Sequence, residues 1–221
     1  MQALSLSRKD YEFNNWYLFG IITALYMLLT WYTAHFIIKD QLYYNSFGDQ
    51  VAMDRIDAFI SKRKSQEWIS YVATPAMLLL KIGYTAVCIS LGGFIIGMEA
   101  PFKKVFKVAL FAELVLLMGG IVQNACLYLF KEINTLEDIQ QFAPFSLYGI
   151  IGSKDTPVYL NYPLRVINLF EIGYWCLLAM GLKTLFEKPL AKMLGFVLAS
   201  YGIGLLVWTV FIVFLSINLT T

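Results

Sequence analysis

The sequence predicts an all-α fold, a polytopic integral membrane bundle of five transmembrane helices, and three observations carry that prediction. Hydrophobic residues fill 59% of the 221 positions and charged residues only 14%, against nearly half and about a quarter in soluble domains. Five apolar runs reach the roughly 20 residues that cross a bilayer core. Their connections alternate between short basic segments and two long loops of mixed charge.

Each element can be justified in order. Residues 1–15 form a tail containing Arg8 and Lys9. The first span, 16–38, contains no Asp, Glu, Lys or Arg. It ends in His35, Phe36, Ile37 and Ile38 rather than in small residues, which marks a membrane helix and not a cleaved signal. In the loop 39–68, Ala52, Ile56, Phe59 and Ile60 recur at helical spacing among Asp54, Arg55 and Asp57. That pattern is an amphipathic helix, lying on the membrane surface or packed against the other long loop.

Residues 69–218 form a four-helix membrane domain. Span 69–98 carries Lys81 and has Pro75 one turn in, where proline bends the entry or marks an interfacial first turn. Span 105–130 holds Lys107 near its start and Glu113 inside. In the loop 131–165, Thr135 stands three residues before Asp138, a capping pattern, and "FAPFSLYGIIG" is too apolar to be solvated. Span 166–186 contains Glu171 and ends near Lys183, and span 193–218 is uncharged.

Charge density sets the expected orientation. Arg8, Lys9, Lys103, Lys104, Lys107, Lys183, Lys188 and Lys192 crowd the tail and the tight connections. The cations of the long loops are diluted by Asp40, Asp49, Asp54, Asp57, Glu67, Glu132, Glu137, Asp138 and Asp155. Short, cation-rich segments stay cytoplasmic. The amino terminus is therefore expected inside, with the long loops and the carboxyl terminus outside. Only the basic "SKRKS" at 61–65 runs against this.

Little in the chain suggests catalysis. His35 is the single histidine, so no Ser/His/Asp set or imidazole metal site can be composed. Cys88, Cys126 and Cys176 fall in separate apolar runs and read as buried thiols. No nucleotide or dinucleotide fingerprint occurs, and the expectation is no catalytic residue, no metal and no cofactor. The net charge of +2 says almost nothing about partners, and no basic tract suggests nucleic acid.

Three charges remain inside the spans: Lys81, Glu113 and Glu171. Each costs several kcal/mol if left bare in hydrocarbon, about 2.5–3.5 on insertion scales. Counting depth from the span ends allows a Lys81–Glu171 or a Lys81–Glu113 pair, as a structural bridge or as part of a solute or proton pathway. Asn168 and Trp175 stand one turn to either side of Glu171 and provide it with polar and aromatic neighbours. Small residues complete the packing expectation: Gly93 and Gly97 as GxxxG, and Ser200 with Gly204 in the last span.

The segment "LLLKIGYTAVCISLGGFIIGMEAPFKKVFKVALFAELVLLMGGIV" (78–122), with its "GxxxPFKKVFKV" turn, resembles the second and third spans of bacterial members of the YIP (Ypt-interacting-protein) superfamily. "INLFEIGYWCLLAMGLKTLFEKPLAKMLGF" (167–196) is similar to the family's fourth span and following basic turn. The "DLYGP" motif of eukaryotic members is absent, which favours the bacterial type. The resemblance implies five spans in a bacterial cytoplasmic membrane and a non-enzymatic protein that works through partners. The leading expectation is an accessory subunit of an ABC-type exporter with a periplasmic adaptor. Ile56, Phe59, Ile60, Phe142 and Phe145 are the candidate partner-facing residues. Alternatives are a self-contained transporter using Lys81, Glu113 and Glu171, or a membrane-organising protein acting on lipids.

Overall fold

A computed structural model of the protein describes residues 15–48, 50–130, 132–153 and 156–220. The tail with Arg8 and Lys9 lies outside the described residues, as do Asp49 and Asp155. Every regular element among the described residues is helical. Five stretches are long and apolar enough to cross a membrane: Trp16–Ile37, Glu67–Ile95, Phe102–Leu129, Leu169–Phe186 and Leu190–Asn218. The chain is a multi-pass membrane protein.

The first span is α1 (Asn15–Tyr32), continued by a π-helical turn, Thr33–Ile37. The short helices α2 (Asp40–Phe47) and α3 (Met53–Ser65) then lead through Gln66 into α4 (Glu67–Ile95). Because α4 starts at Glu67, Pro75 lies inside the helix rather than in its first turn. The imino nitrogen leaves the Tyr71 carbonyl without its usual helical donor.

The end of α4 overturns one packing expectation. Gly97 has φ +70° and lies beyond the helix. The Met98 N–H bonds the Gly93 carbonyl at 2.8 Å and the Gly97 N–H bonds Phe94 at 3.2 Å, closing the helix in a Schellman motif. Gly93 and Gly97 are therefore not a helix–helix face. A Cβ at Gly93 would come within 2.6 Å of Ala100 in the following turn. The close approach of helices uses Gly92 instead, where a Cβ would fall 2.5 Å from that of Ser200. Gly204 makes a second such contact, against Cys88.

Pro101 opens α5 (Phe102–Phe130), the antiparallel partner of α4. Three short helices come next: α6 (Leu136–Gln141), α7 (Leu147–Ile151) and α8 (Val158–Val166). Thr135 and Asp138 form the reciprocal capping box at α6. The fourth span is α9 (Leu169–Phe186), and the fifth is α10 (Leu190–Val197), a π-helical turn at Leu198–Gly202 and α11 (Ile203–Thr220).

Helices α4, α5 and α9 form the centre, with α1 against α4 and α5, and α10 with its π-turn against α9 and α4. The core between them includes Ile82, Ile89, Leu110, Tyr174, Leu178 and Val197. A second small core joins the two long loops: Ile56 and Ile60 of α3 are buried with Tyr43 of α2, and Leu136 of α6 packs on them. Ile56 and Ile60 are thus not partner-facing, since the apolar stripe of the amphipathic helix is already spent on its own neighbours. Phe59 stays more than half exposed at the edge of this cluster, its ring 5.8 Å from that of Tyr43. Around this cluster Tyr44 donates a hydrogen bond to Asp57, and Lys64 meets Asp40 at 2.6 Å. The bond to Asp57 raises the Tyr44 phenol above the ordinary tyrosine range.

Candidate functional site

Lys81 and Glu113 meet because α4 and α5 are an antiparallel hairpin. Lys81 lies 14 residues before the end of α4, about 21 Å at 1.5 Å per residue, and Glu113 lies 11 residues into α5, about 17 Å. Their side chains therefore reach the same level, and Lys81 Nζ donates to Glu113 Oε1 at 2.7 Å. Tyr26 of α1 donates to the same oxygen at 2.8 Å. The Glu113 side chain is 1% exposed, and its second oxygen is buried without a partner. Lys81 is different: its side chain is 43% exposed.

Glu171 does not join that pair. Asn168 has extended backbone angles and caps α9, its Oδ1 accepting from the Glu171 N–H at 2.8 Å. Glu171 is therefore the third residue of a helix that begins at Leu169, not a charge deep in a span that begins at 166. Acidic side chains are favoured in that first turn, where free N–H groups point outward. Its carboxylate accepts from Trp175 Nε1 and Tyr201 Oη, both at 2.9 Å. The Lys81–Glu171 alternative is replaced by neutral donors.

Tyr201 reaches Glu171 from the π-turn. One extra residue in a turn rotates the rest of the helix about its axis. Here Ser200 lies against Gly92 while Tyr201 stays buried facing α9. Tyr174 joins this region to α4 through Thr85, at 3.1 Å.

These groups border a cavity of about 740 Å³ between the helices. Lys81, Glu113, Glu171, Tyr26 and Tyr201 line it, together with Tyr162, Arg165 and Trp208. The start of α9 is tied to the preceding loop by Leu169 N–H to Phe145 O at 3.0 Å and Leu147 N–H to Ile167 O at 2.8 Å. That tie sets α7 beside α8, and α8 borders the cavity. Arg165 places its guanidinium 4.8 Å from the Tyr148 ring centroid, and its Nε is buried without an acceptor. Trp208 Nε1 donates to Tyr162 Oη at 3.0 Å.

Other predicted residues lie elsewhere. His35 stacks on Trp31 and stands 3.6 Å from Glu67 at the membrane edge. Phe145 packs edge-on against Phe170 at 5.6 Å, and Phe142 accepts a hydrogen bond at its carbonyl from Gln123, so both hold the loop to the bundle. The three cysteines are free thiols, and no cluster of three metal-binding side chains occurs among the described residues. Sequence reasoning missed Tyr26, Tyr201 and Arg165. A tyrosine inside an apolar run carries no signal of which helix it faces, but an arginine three residues before an Asn cap could have been noticed.

Comparison with known proteins finds no matching family model, no matching curated protein and no matching solved structure.

Proposed function

We propose that this chain is a non-enzymatic protein of a bacterial cytoplasmic membrane that binds a small polar or amphiphilic solute in its cavity and passes it across or along the bilayer. One observation carries the reading. A lysine inside a membrane helix needs only its carboxylate and a closed shell of protein if its role is structural. Lys81 instead has 43% of its side chain exposed, along a cavity of about 740 Å³, while Glu113 beneath it is sealed. A volume of about 300–1,000 Å³ with a few convergent polar groups is the usual form of a small-molecule site. The amino terminus is inside and the cavity mouth outside, in keeping with the charge density of the connections.

The test is reconstitution of the protein alone into liposomes. Protein-dependent flux of a small ionic or amphiphilic solute, abolished by Lys81→Gln, is the expected result. Flux that is absent, or unaltered by Lys81→Gln, refutes the reading. External labelling of Phe59→Cys in intact cells checks the orientation.

The accessory-subunit reading, with YIP kinship as part of it, has its own observation. Phe59, Ile150, Ile151 and Val158 leave apolar surface exposed on the long loops, Ile150 to 78%. Surface of that kind fits a partner protein. Co-purification with a nucleotide-hydrolysing exporter subunit, lost in Ile150→Asp or Phe59→Asp, is the result that favours it.

A further inference from the structure

We infer that the cavity's ligand is a single-chain amphiphile with an anionic head, its head held by Arg165 and Lys81 and its chain lying along α4 and α11. The inference rests on the cavity reading above and adds the chemical class of what the cavity takes.

The hydrogen-bond inventory points to an acceptor-rich head. Glu113 is 1% exposed, so its unpartnered oxygen lies beyond a ligand's reach. Glu171 is largely buried and already accepts from Trp175 and Tyr201. The cations are less spent. An ammonium carries three donors and a guanidinium five. The side-chain hydrogen bond of Lys81 goes to Glu113, and among the described residues Arg165 has no carboxylate within ion-pair distance. Its stacking on Tyr148 leaves the edge of the guanidinium, where the N–H groups point, unpaired with any acid. The surplus facing the cavity is of donors and positive charge, which carboxylate or phosphate oxygens would meet.

The rest of the lining is apolar. Helices α4 and α11 touch where Tyr84 Oη donates to the Gly204 carbonyl at 2.8 Å and its ring lies 5.7 Å from Trp208. On the outer side of that contact, Met77 and Leu80 line the cavity while 57% and 52% exposed, so the space between the helices is open. An amphiphile entering from the bilayer would keep its chain in apolar surroundings while its head reached the two cations. The volume suits one chain rather than the two of a membrane phospholipid.

The experiment uses the full chain in a neutral detergent and the tryptophan quencher 9,10-dibromostearate, since Trp208 lines the cavity and Trp175 holds Glu171. Saturable quenching is expected, weakened about tenfold or more in Arg165→Gln and kept within a few-fold by Arg165→Lys. The uncharged 9,10-dibromostearyl alcohol should bind about tenfold more weakly than the acid, and acetate or inorganic phosphate should not displace it. Equal binding of acid and alcohol, or an Arg165→Gln protein that folds with unchanged helicity and unchanged affinity, overturns the anionic head. Displacement by acetate or phosphate at matching affinity overturns the chain and makes the ligand a free anion. Labelling of Thr74→Cys, on the cavity wall, by a water-soluble thiol reagent separates the two levels of inference. If that site labels and the alcohol binds as well as the acid, only the anionic class fails. If it does not label and no probe binds, the cavity reading fails with it.

Discussion

Replacing Lys81 by methionine removes the cation that Glu113 faces and leaves the rest of its shell in place. The stranded carboxylate is 1% exposed and keeps only Tyr26 as a donor. Breaking a buried pair by deleting one partner costs about 3–5 kcal/mol. Lys81 is only half-buried, and Tyr26 remains, so the lower end, about 3 kcal/mol, is expected. For a chain of this size each kcal/mol moves the midpoint by roughly 2–4 °C, which gives a fall of about 6–12 °C. The decisive comparison is the double variant. Lys81→Met with Glu113→Leu replaces both charges by apolar groups and should recover most of the loss, because a buried ion pair is often no better than a packed hydrophobic pair. Lys81→Met with Glu171→Leu should show no recovery, since Glu171 is held by Trp175 and Tyr201. Thermal unfolding in one detergent, monitored by circular dichroism, measures all four proteins. Recovery through Glu171 instead of Glu113 would refute the pairing, and so would a Lys81→Met protein as stable as the parent.

Local geometry gives two further outcomes. Gly204→Ala places a Cβ 2.5 Å from Cys88 Sγ; it should cost about 1–3 kcal/mol, and Cys88→Ala in the same chain should restore most of it by thermal unfolding. The Tyr44 phenol, raised by its bond to Asp57, should titrate above ordinary tyrosine in an ultraviolet difference titration against Tyr44→Phe. A folded pKa above the unfolded one means that this bond's stabilisation is complete below the ordinary tyrosine range and is lost as pH rises through the raised value.

The spans were legible because each is a long, predominantly apolar run, and bilayer thickness turns run length directly into a helix count. Their ends were not, because caps decide them and caps depend on single residues. Gly97 looked like half of a packing motif and is a left-handed helix stop; Asn168 looked like a polar neighbour of Glu171 and is the cap that starts α9. The capping box at Thr135 could be read, since both of its partners lie within four residues of sequence. Ile56 and Ile60 carry the pattern of an amphipathic helix but no information about what covers it, and the answer, Tyr43 and Leu136, comes from two other segments.

The two membrane carboxylates show how position along a helix sets the chemistry of a site. Glu113 lies in mid-helix, where every backbone N–H is already used, so its charge can be met only by side chains from other helices. A tyrosine alone leaves a full negative charge in a low-dielectric interior, and a lysine is required. Glu171 lies in the first turn of α9, where the helix end itself is favourable to an anion, and two neutral donors are enough. That difference fixes what remains for a ligand. Had Lys81 been shared between both acids, its donors would have been spent inside the protein. Because its hydrogen bond goes to Glu113 and 43% of its side chain stays uncovered, positive charge is left facing the cavity, which Arg165 also lines.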